Sequence, residues 1–216
     1  TQVIGILAIL WMIFVTFAAS HGAEVISKVS SIGGYFVTGM IFVFIIGSIV
    51  ALIAGHGHIS QALTAKALIS SPNPDFQTPI ATLSFIVYAI FAYAGMEALG
   101  GIIDSVEKPE KTFPRGMLIS SVLIAAGYSI IVLLWGISIN WNDVLNSKSV
   151  NLGNITYVMM GHLGYYLGQT LGLSNSTSLL LQSIFIRFVG LGMFLAYVGS
   201  FFILIYSPIK SFILGS

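Results

Sequence analysis

The sequence predicts an all-α polytopic membrane protein with about five transmembrane helices, the third of them broken. Three observations carry this. Charged residues are 7% of the chain and apolar ones 56%, with a mean hydropathy of +0.98; soluble globular proteins carry roughly 25% charged residues and need them to face water. Five apolar stretches approach or exceed the ~20 residues that cross a hydrocarbon core. One of them holds glycines and an acid deep inside the run.

The spans are expected near residues 1–19, 32–54, 79–103, 116–139 and 179–207, within a single membrane domain over 1–216. The first opens TQVIGILAIL, with neither an initiator methionine nor a charged leader, so it is not a secretory signal peptide. It reads as a helix entered partway, and the chain as a piece of a longer protein. The second span aligns Gly47, Ala51 and Gly55 on one face, and the fifth aligns Gly192, Ala196 and Ser200. Small residues at this spacing let helix backbones approach closely, and ordinary bundle packing outweighs a dimer interface. The fourth span follows DSVEKPEKTFPR (104–115), where Pro109 and Pro114 interleaved with charge predict a stiff, solvated turn. The segment 140–178, before the fifth span, is the longest connection, polar and rich in Gly and Asn. A shorter one, 55–79, has room for a surface helix around Ile59–Leu68.

Orientation follows from Lys and Arg. Lys28, Lys108, Lys111, Arg115 and Lys210 fall in one alternating set of loops, Lys66 and Lys148 in the other. The first set, including 104–115, is therefore cytoplasmic, and 55–78 and 140–178 face outward. Asn154-Ile-Thr and Asn175-Ser-Thr would be outward sequons in a eukaryote. A cell (plasma or inner) membrane, crossed several times, is the expected location, with the lipid bilayer as a partner.

Several functions are excluded. There is no cysteine, hence no disulfide or thiolate chemistry. No basic stripe tracks phosphates, so nucleic acid is not a partner. No HExxH, phosphate-binding glycine loop or Ser/His/Asp arrangement appears, so neither a cofactor nor a catalytic or metal site is expected. His56 and His58 form a weak His-x-His metal signal without a third ligand. His21 and His162 are isolated. Arg187, toward the outer end of the fifth span, reads as a snorkelling side chain or the partner of an acid.

The third span poses the chemical question. Within AIFAYAGMEALGG (89–101), Glu97 is the only acid of the apolar run from Ile80 to Ile103. An ionisable group at the bilayer centre costs about 3 kcal/mol on insertion scales, so it faces a bundle interior or a cavity. Gly95 precedes it, and a helix-interior glycine costs about 1 kcal/mol relative to alanine. Transporters bind substrate at helices that break near the midplane, where freed backbone groups need a cavity or a ligand. A structural glutamate, protonated or hydrogen-bonded to a neighbouring helix, is an alternative of equal weight.

Two motifs then coincide. Phe91-x-Tyr93-x-Gly95-x-Glu97, followed by E-K-P-E-K-T-F-P-R at 107–115, resembles the amino acid–polyamine–organocation (APC) transporters. There the sixth helix carries F/W-x-F-x-G-x-E and a cytoplasmic N-P-x-R/K-x-x-P-R/K segment follows; Lys108 stands here for the usual Asn. HGAEVISKVSSIGG (21–34) resembles the entry to that family's fifth helix, so the chain would hold helices four to eight. The long outer loop and the YSPIK ending resemble the glutamate/GABA antiporters within the family. The resemblance implies a partial LeuT-type fold and transport by alternating access. It implies that the backbone at Phe91, Ala92, Ala94 and Gly95 lines the amino acid site and holds the substrate ammonium. Phe91 falls on an aromatic gate, Glu97 on a gate or proton-linked acid, and Phe201 near a second aromatic lining position, where core packing is the plainer reading. It further implies an amino acid or amine substrate and the remaining transporter helices as partners; oligomeric state is left open. The family's first helix, which holds the substrate carboxylate, has no counterpart here. Some proton-coupled relatives carry a lysine in mid-fifth helix, whereas SSIGGYFVTGMIF (30–42) has none, which favours exchange. A membrane enzyme would need two convergent polar groups at one depth, and only Glu97 and the distant Arg187 are available. The remaining rival is a sensor or scaffold subunit without transport activity.

Overall fold

In a computed structural model, residues 2–21, 23–91, 103, 106–151 and 153–214 are described. Among them the secondary structure is helical without strands. In chain order the helices are α1 (Gln2–Ala19), α2 (Ala23–Ala54), α3 (Ala65–Ile69), a 3-10 turn (Pro74–Phe76), α4 (Pro79–Ser84), α5 (Ile86–Phe91), α6 (Pro109–Ser138), α7 (Trp141–Leu145), α8 (Ile155–Thr170) and α9 (Asn175–Leu214). Three segments are long and apolar enough to cross a membrane: Ser27–Ala54, Pro109–Ser138 and Asn175–Lys210. Val3–Phe17 in α1 is apolar but shorter, and the expected span 79–103 runs into residues outside the described set.

The long helices outreach a bilayer. At 1.5 Å per residue, the 40 residues of α9 extend about 60 Å, twice a ~30 Å hydrocarbon core. Its first turns pack against α8.

The chain divides into two compact units. The first comprises Thr1–Thr38, Tyr93–Val122 and Gly192–Ser216. Its core is Val15, Val198 and Phe202, with Trp11, Val29, Phe201 and Tyr206 packed against it. Here α2 and α9 touch backbone to backbone: a Cβ on Gly33 would lie 2.7 Å from the Leu195 carbonyl oxygen, and one on Gly199 would lie 2.9 Å from Ser30 Cα. The close residue of α9 is thus Gly199. Ser200, expected on the packing face, is exposed, and its hydroxyl donates back to the Ala196 carbonyl at 2.9 Å. One residue is about 100° of helix rotation, enough to turn a side chain off the contact.

The second unit comprises Gly39–Ala92 and Leu123–Leu191. Here the face of Gly47, Ala51 and Gly55 packs as expected. Ala51 is fully buried, Gly47 lies against Leu163, and Gly55 against Thr170 and Tyr166. The Gly/Asn-rich segment expected as an outer loop folds into α7 and α8. Along α8, Gly161, Gly164 and Gly168 meet α9 side by side; a Cβ on Gly164 would sit 2.9 Å from the Leu181 carbonyl oxygen, and one on Gly168 would sit 2.8 Å from Ser178 Cα. Glycine lowers helix propensity here, yet it removes the atoms that would hold the helices apart. Asn151 and Asn154 fold the entry to α8: Gly153 N–H donates to Asn151 Oδ1 at 2.9 Å, and Asn154 Nδ2 to the Ser149 carbonyl at 2.8 Å. The segment 104–115 is not a turn throughout, because α6 begins at Pro109. Proline is tolerated at a first helical position, where its missing N–H would have no partner anyway, and Glu110 in that turn favours the positive end of the helix dipole.

Replacing Gly168 with alanine should lower stability by about 1–3 kcal/mol through overpacking. Gly34→Ala, where a Cβ meets nothing within 4 Å, should be neutral or stabilising by up to about 1 kcal/mol. Thermal unfolding midpoints of the two variants in detergent check the contrast, and equal shifts would refute the close α8–α9 approach.

Candidate functional site

Of the residues singled out from the sequence, Phe91 closes α5, while Ala92, Ala94, Gly95 and Glu97 lie outside the described residues. The expected helix break falls there too. Before it, α4 and α5 are parted only at Phe85, whose φ −67° and ψ −17° remain helical. Phe201 is partly buried in the first unit, its ring 4.7 Å from that of Trp11 at 60°. Arg187, the thirteenth residue of α9, is exposed.

The second unit gathers polar groups that the sequence left scattered. Its starting point is the end of α2, where His56 takes φ 53° and Gly57 φ 80°. His56 N–H donates to the Ile53 carbonyl at 3.1 Å and Gly57 N–H to that of Leu52 at 2.8 Å. This is the Schellman closure, with histidine in the left-handed position that glycine usually takes. The reversed chain then runs past the end of α6. Ser60 N–H donates to the Ile137 carbonyl at 3.1 Å and Gln61 N–H to that of Gly136 at 2.8 Å. Two carbonyls that a helix end leaves without intrahelical partners are thereby satisfied.

Gln61 is the joint of this unit. Its side chain is buried; Oε1 accepts from the Trp141 N–H at 3.0 Å, and Nε2 donates to the Ala62 carbonyl at 3.2 Å. A Cβ on Gly136 would lie 2.9 Å from Gln61 Cβ, so glycine is what lets the loop approach. The surface helix expected around Ile59–Leu68 accordingly starts later, at Ala65, because residues 60 and 61 are committed to α6.

Around this joint lies a polar cleft of about 740 Å³, walled by His58, Ser60, Asn140, Asp143, Ser147 and His162 among others. Tyr166, one turn from His162 on α8, donates to the His58 carbonyl at 3.3 Å, and its oxygen lies 3.3 Å from His58 Nδ1. Burial raises the Tyr166 pKa above 10.0. His162 keeps an exposed surface, yet the burial of the rest of its ring holds its pKa below 6.5. The cleft thus offers one carboxylate, hydroxyls and two imidazoles, a set that binds polar or cationic groups. Among the described residues, no group of three or more His, Cys, Asp or Glu could hold a metal ion. His162, read from the sequence as isolated, and Gln61, not singled out at all, are the residues that sequence reasoning missed. Both belong to segments whose partners lie some hundred residues away.

The amino acid permease family profile matches residues 1–208. Over all 216 residues the chain is 48% identical to the inner membrane transporter YjeM of Escherichia coli (strain K12), covering 43% of that protein. It is 45% identical over the same length to the Salmonella typhimurium protein of that name, again covering 43% of it. Over 122 residues, 56% of the chain, it is 30% identical to the glutamate/gamma-aminobutyrate antiporter of Lactococcus lactis subsp. cremoris and covers 22% of it. The chain therefore spans less than half the length of these curated relatives. No solved structure matches it.

Two outcomes follow. Gln61→Ala leaves the Trp141 N–H buried without an acceptor and should cost about 1–3 kcal/mol, read as a lower unfolding midpoint. The His162 folded-state pKa lies below the unfolded one, so above pH 6.5 it carries no penalty. As pH falls through 6.5 the unfolded state binds more protons and stability drops, until pH passes below the folded value. His162→Gln should remove that slope; identical pH profiles for both proteins would refute it. The effect is small, since a partly open imidazole is screened by solvent.

Proposed function

The chain belongs to the amino acid permease family, and on that premise we propose that it is part of a secondary transporter that exchanges amino acids or related amines across the inner (plasma) membrane by alternating access. The observation that carries this is the family match over nearly the whole chain, joined to the Phe91–Glu97 motif. The named relatives, inner membrane transporters and a glutamate/gamma-aminobutyrate antiporter, support membrane transport and, less directly, exchange of an amino acid.

In this reading the backbone at Phe91, Ala92, Ala94 and Gly95 holds the substrate ammonium, Phe91 gates it, Glu97 is a gate or proton-linked acid, and Phe201 is a second aromatic lining residue. Depth supports it. Phe91 lies twelve residues beyond Pro79, the first residue of α4, which is about 18 Å along a helix axis and so near the middle of a ~30 Å core. Carbonyls freed there are hydrogen-bond acceptors without water, suited to an ammonium group. The helix that would hold the substrate carboxylate belongs to the remainder of the longer protein. Residues 104–115, rich in Lys and Arg, face the cytoplasm.

The test is counterflow of labelled acidic, basic and neutral amino acids into liposomes holding the full-length protein. One class should exchange, and Phe91→Ala and Glu97→Gln should slow it about tenfold or more, the effect of losing a contact of ~1.4 kcal/mol. Gly95→Leu should abolish it. A folded protein that exchanges none of the panel would sink the proposal.

A further inference from the structure

The polar cleft of the second unit has no part in the substrate site around Phe91, yet its free groups share one character. Its volume of about 740 Å³ is in the usual range for a bound small molecule, roughly 300–1,000 Å³. Asp143 is the only Asp, Glu, Lys or Arg among the described residues that wall it. Its carboxylate has neither an ion pair nor a hydrogen bond among the described residues.

Much of the remaining polar wall is already satisfied by the protein. The Ser138 hydroxyl donates to the Trp135 carbonyl at 3.4 Å. Asn140 Oδ1 accepts the Asn142 N–H at 3.0 Å, and the hydroxyls of Ser147 and Ser149 lie 2.8 Å apart. The two imidazoles are left with acceptors. His162 makes no hydrogen bond among the described residues, and with its pKa held below 6.5 one of its ring nitrogens accepts near neutral pH. Tyr166 gives its proton to the His58 carbonyl. His58 Nδ1 is then the donor toward the Tyr166 oxygen, and Nε2 is the acceptor of the neutral ring. The wall also has a firm apolar part, because Ile139 and Val144 are each more than nine-tenths buried.

A carboxylate and acceptors beside an apolar wall match a group that carries a positive charge, only donates, and continues into methylenes. We propose that this cleft binds a primary amine that has no carboxylate of its own. The three N–H donors of the ammonium meet Asp143 and the imidazoles, and its carbon chain lies on Ile139 and Val144. An amino acid fits less well, because its carboxylate would be brought beside Asp143 with no cation in the wall to offset it. A metal ion is not favoured, since among the described residues no group of three or more His, Cys, Asp or Glu could hold one. A second cleft of this unit, walled by Phe85, Trp141 and Leu145 among others, holds no charged residue, so an ammonium there would be desolvated without a counter-charge. The segments 55–78 and 140–178, which carry His58, Asp143 and His162, face outward by the Lys and Arg distribution. The cleft therefore collects amines on the outer side, a role that rests on the transport reading and narrows its substrate class.

The experiment uses the full-length protein in phosphatidylcholine nanodiscs, with empty nanodiscs as the blank. Its probes are 4-aminobutanol, 4-aminobutyrate and butyrate, which share a four-carbon chain. Saturation-transfer NMR reads binding, and an aminoalkyl diazirine followed by peptide mapping locates it. 4-Aminobutanol should bind, 4-aminobutyrate should bind about threefold or more weakly, and butyrate should not bind. Labelled peptides should contain His58, Asp143 or His162, and excess 4-aminobutanol should protect them. Asp143→Asn, at an exposed position, should weaken 4-aminobutanol about threefold, the worth of an ion pair partly open to water, and should remove the preference over 4-aminobutyrate. Asp143→Glu should retain both. Ser149→Trp, also at an exposed position, should fill the cleft and abolish the labelling without unfolding the protein, as gel filtration checks. Equal binding of 4-aminobutanol and 4-aminobutyrate, labels confined to other peptides, or binding unchanged by both Asp143→Asn and Ser149→Trp would each overturn the proposal. Labelling reports the cleft and counterflow reports transport, so failure of one is distinct from failure of the other.

Discussion

Inside hydrocarbon a backbone amide has no water to turn to, and this constraint shapes the rest of the protein. A chain 56% apolar with 7% charged residues crosses a bilayer here as helices, which close their own hydrogen bonds. The cost then concentrates at helix ends, where four N–H and four C=O groups are left over. Much of the unit built from Gly39–Ala92 and Leu123–Leu191 consists of answers to that problem. His56 and Gly57 fold α2 back on its last carbonyls, and the backbone of Ser60 and Gln61 covers those of α6. At the end of α8, Gly172 at φ 71° lets its own N–H and that of Leu173 reach the carbonyls of Gln169 and Gly168.

Between helices the contact is made by missing side chains. Lipid is as apolar as leucine, so burying leucine against leucine gains little in a membrane, and close backbone approach gains more. Gly33 and Gly199 serve α2 against α9 in one unit, and Gly161, Gly164 and Gly168 serve α8 against α9 in the other. The second set lets α8 run closely along the first turns of α9. It also explains why Ser178 can be fully buried: its hydroxyl accepts from Gln169 at 3.0 Å and donates to the Ser174 carbonyl at 3.1 Å.

The sequence made the membrane class and the long helices legible, because composition and run length are the physics of the bilayer itself. It was less informative where partners are remote. α8 was hidden because its glycines read as loop formers, and only the α9 face beside them shows that they are packing residues. The start of α6 was hidden because proline reads as a helix breaker, whereas at Pro109 it opens one. That Gly199 and not Ser200 meets α2 is a matter of a single residue of helix phase. The residues proposed to bind substrate, Ala92 to Glu97, were legible only as a motif, since their spacing matches a family pattern while the chemistry of one acid and one glycine stays compatible with a structural role. Gln61 and Trp141 lie 80 residues apart, and no local pattern couples them.

That pair decides how the second unit meets its two solvents. A five-residue helix such as α7 cannot hold itself in water, since its nucleation cost is spread over too few bonds. Asn140 caps it, accepting the Asn142 N–H at 3.0 Å, and Gln61 fixes its first residue through the Trp141 N–H. Once fixed, its faces separate by helical phase. Asp143, Val144 and, just beyond the helix, Ser147 wall the polar cleft, while Trp141 and Leu145, four residues apart, wall the apolar one. Four residues are about one turn, so Trp141 and Leu145 stand one above the other, and Asp143 is turned away from both. One short helix thereby turns the Asp143 carboxylate toward one cleft and the Trp141 ring toward the other. A chain that dips between water and lipid needs such a divider, because a charge on the apolar side would be desolvated and an indole on the polar side would gain nothing from its ring.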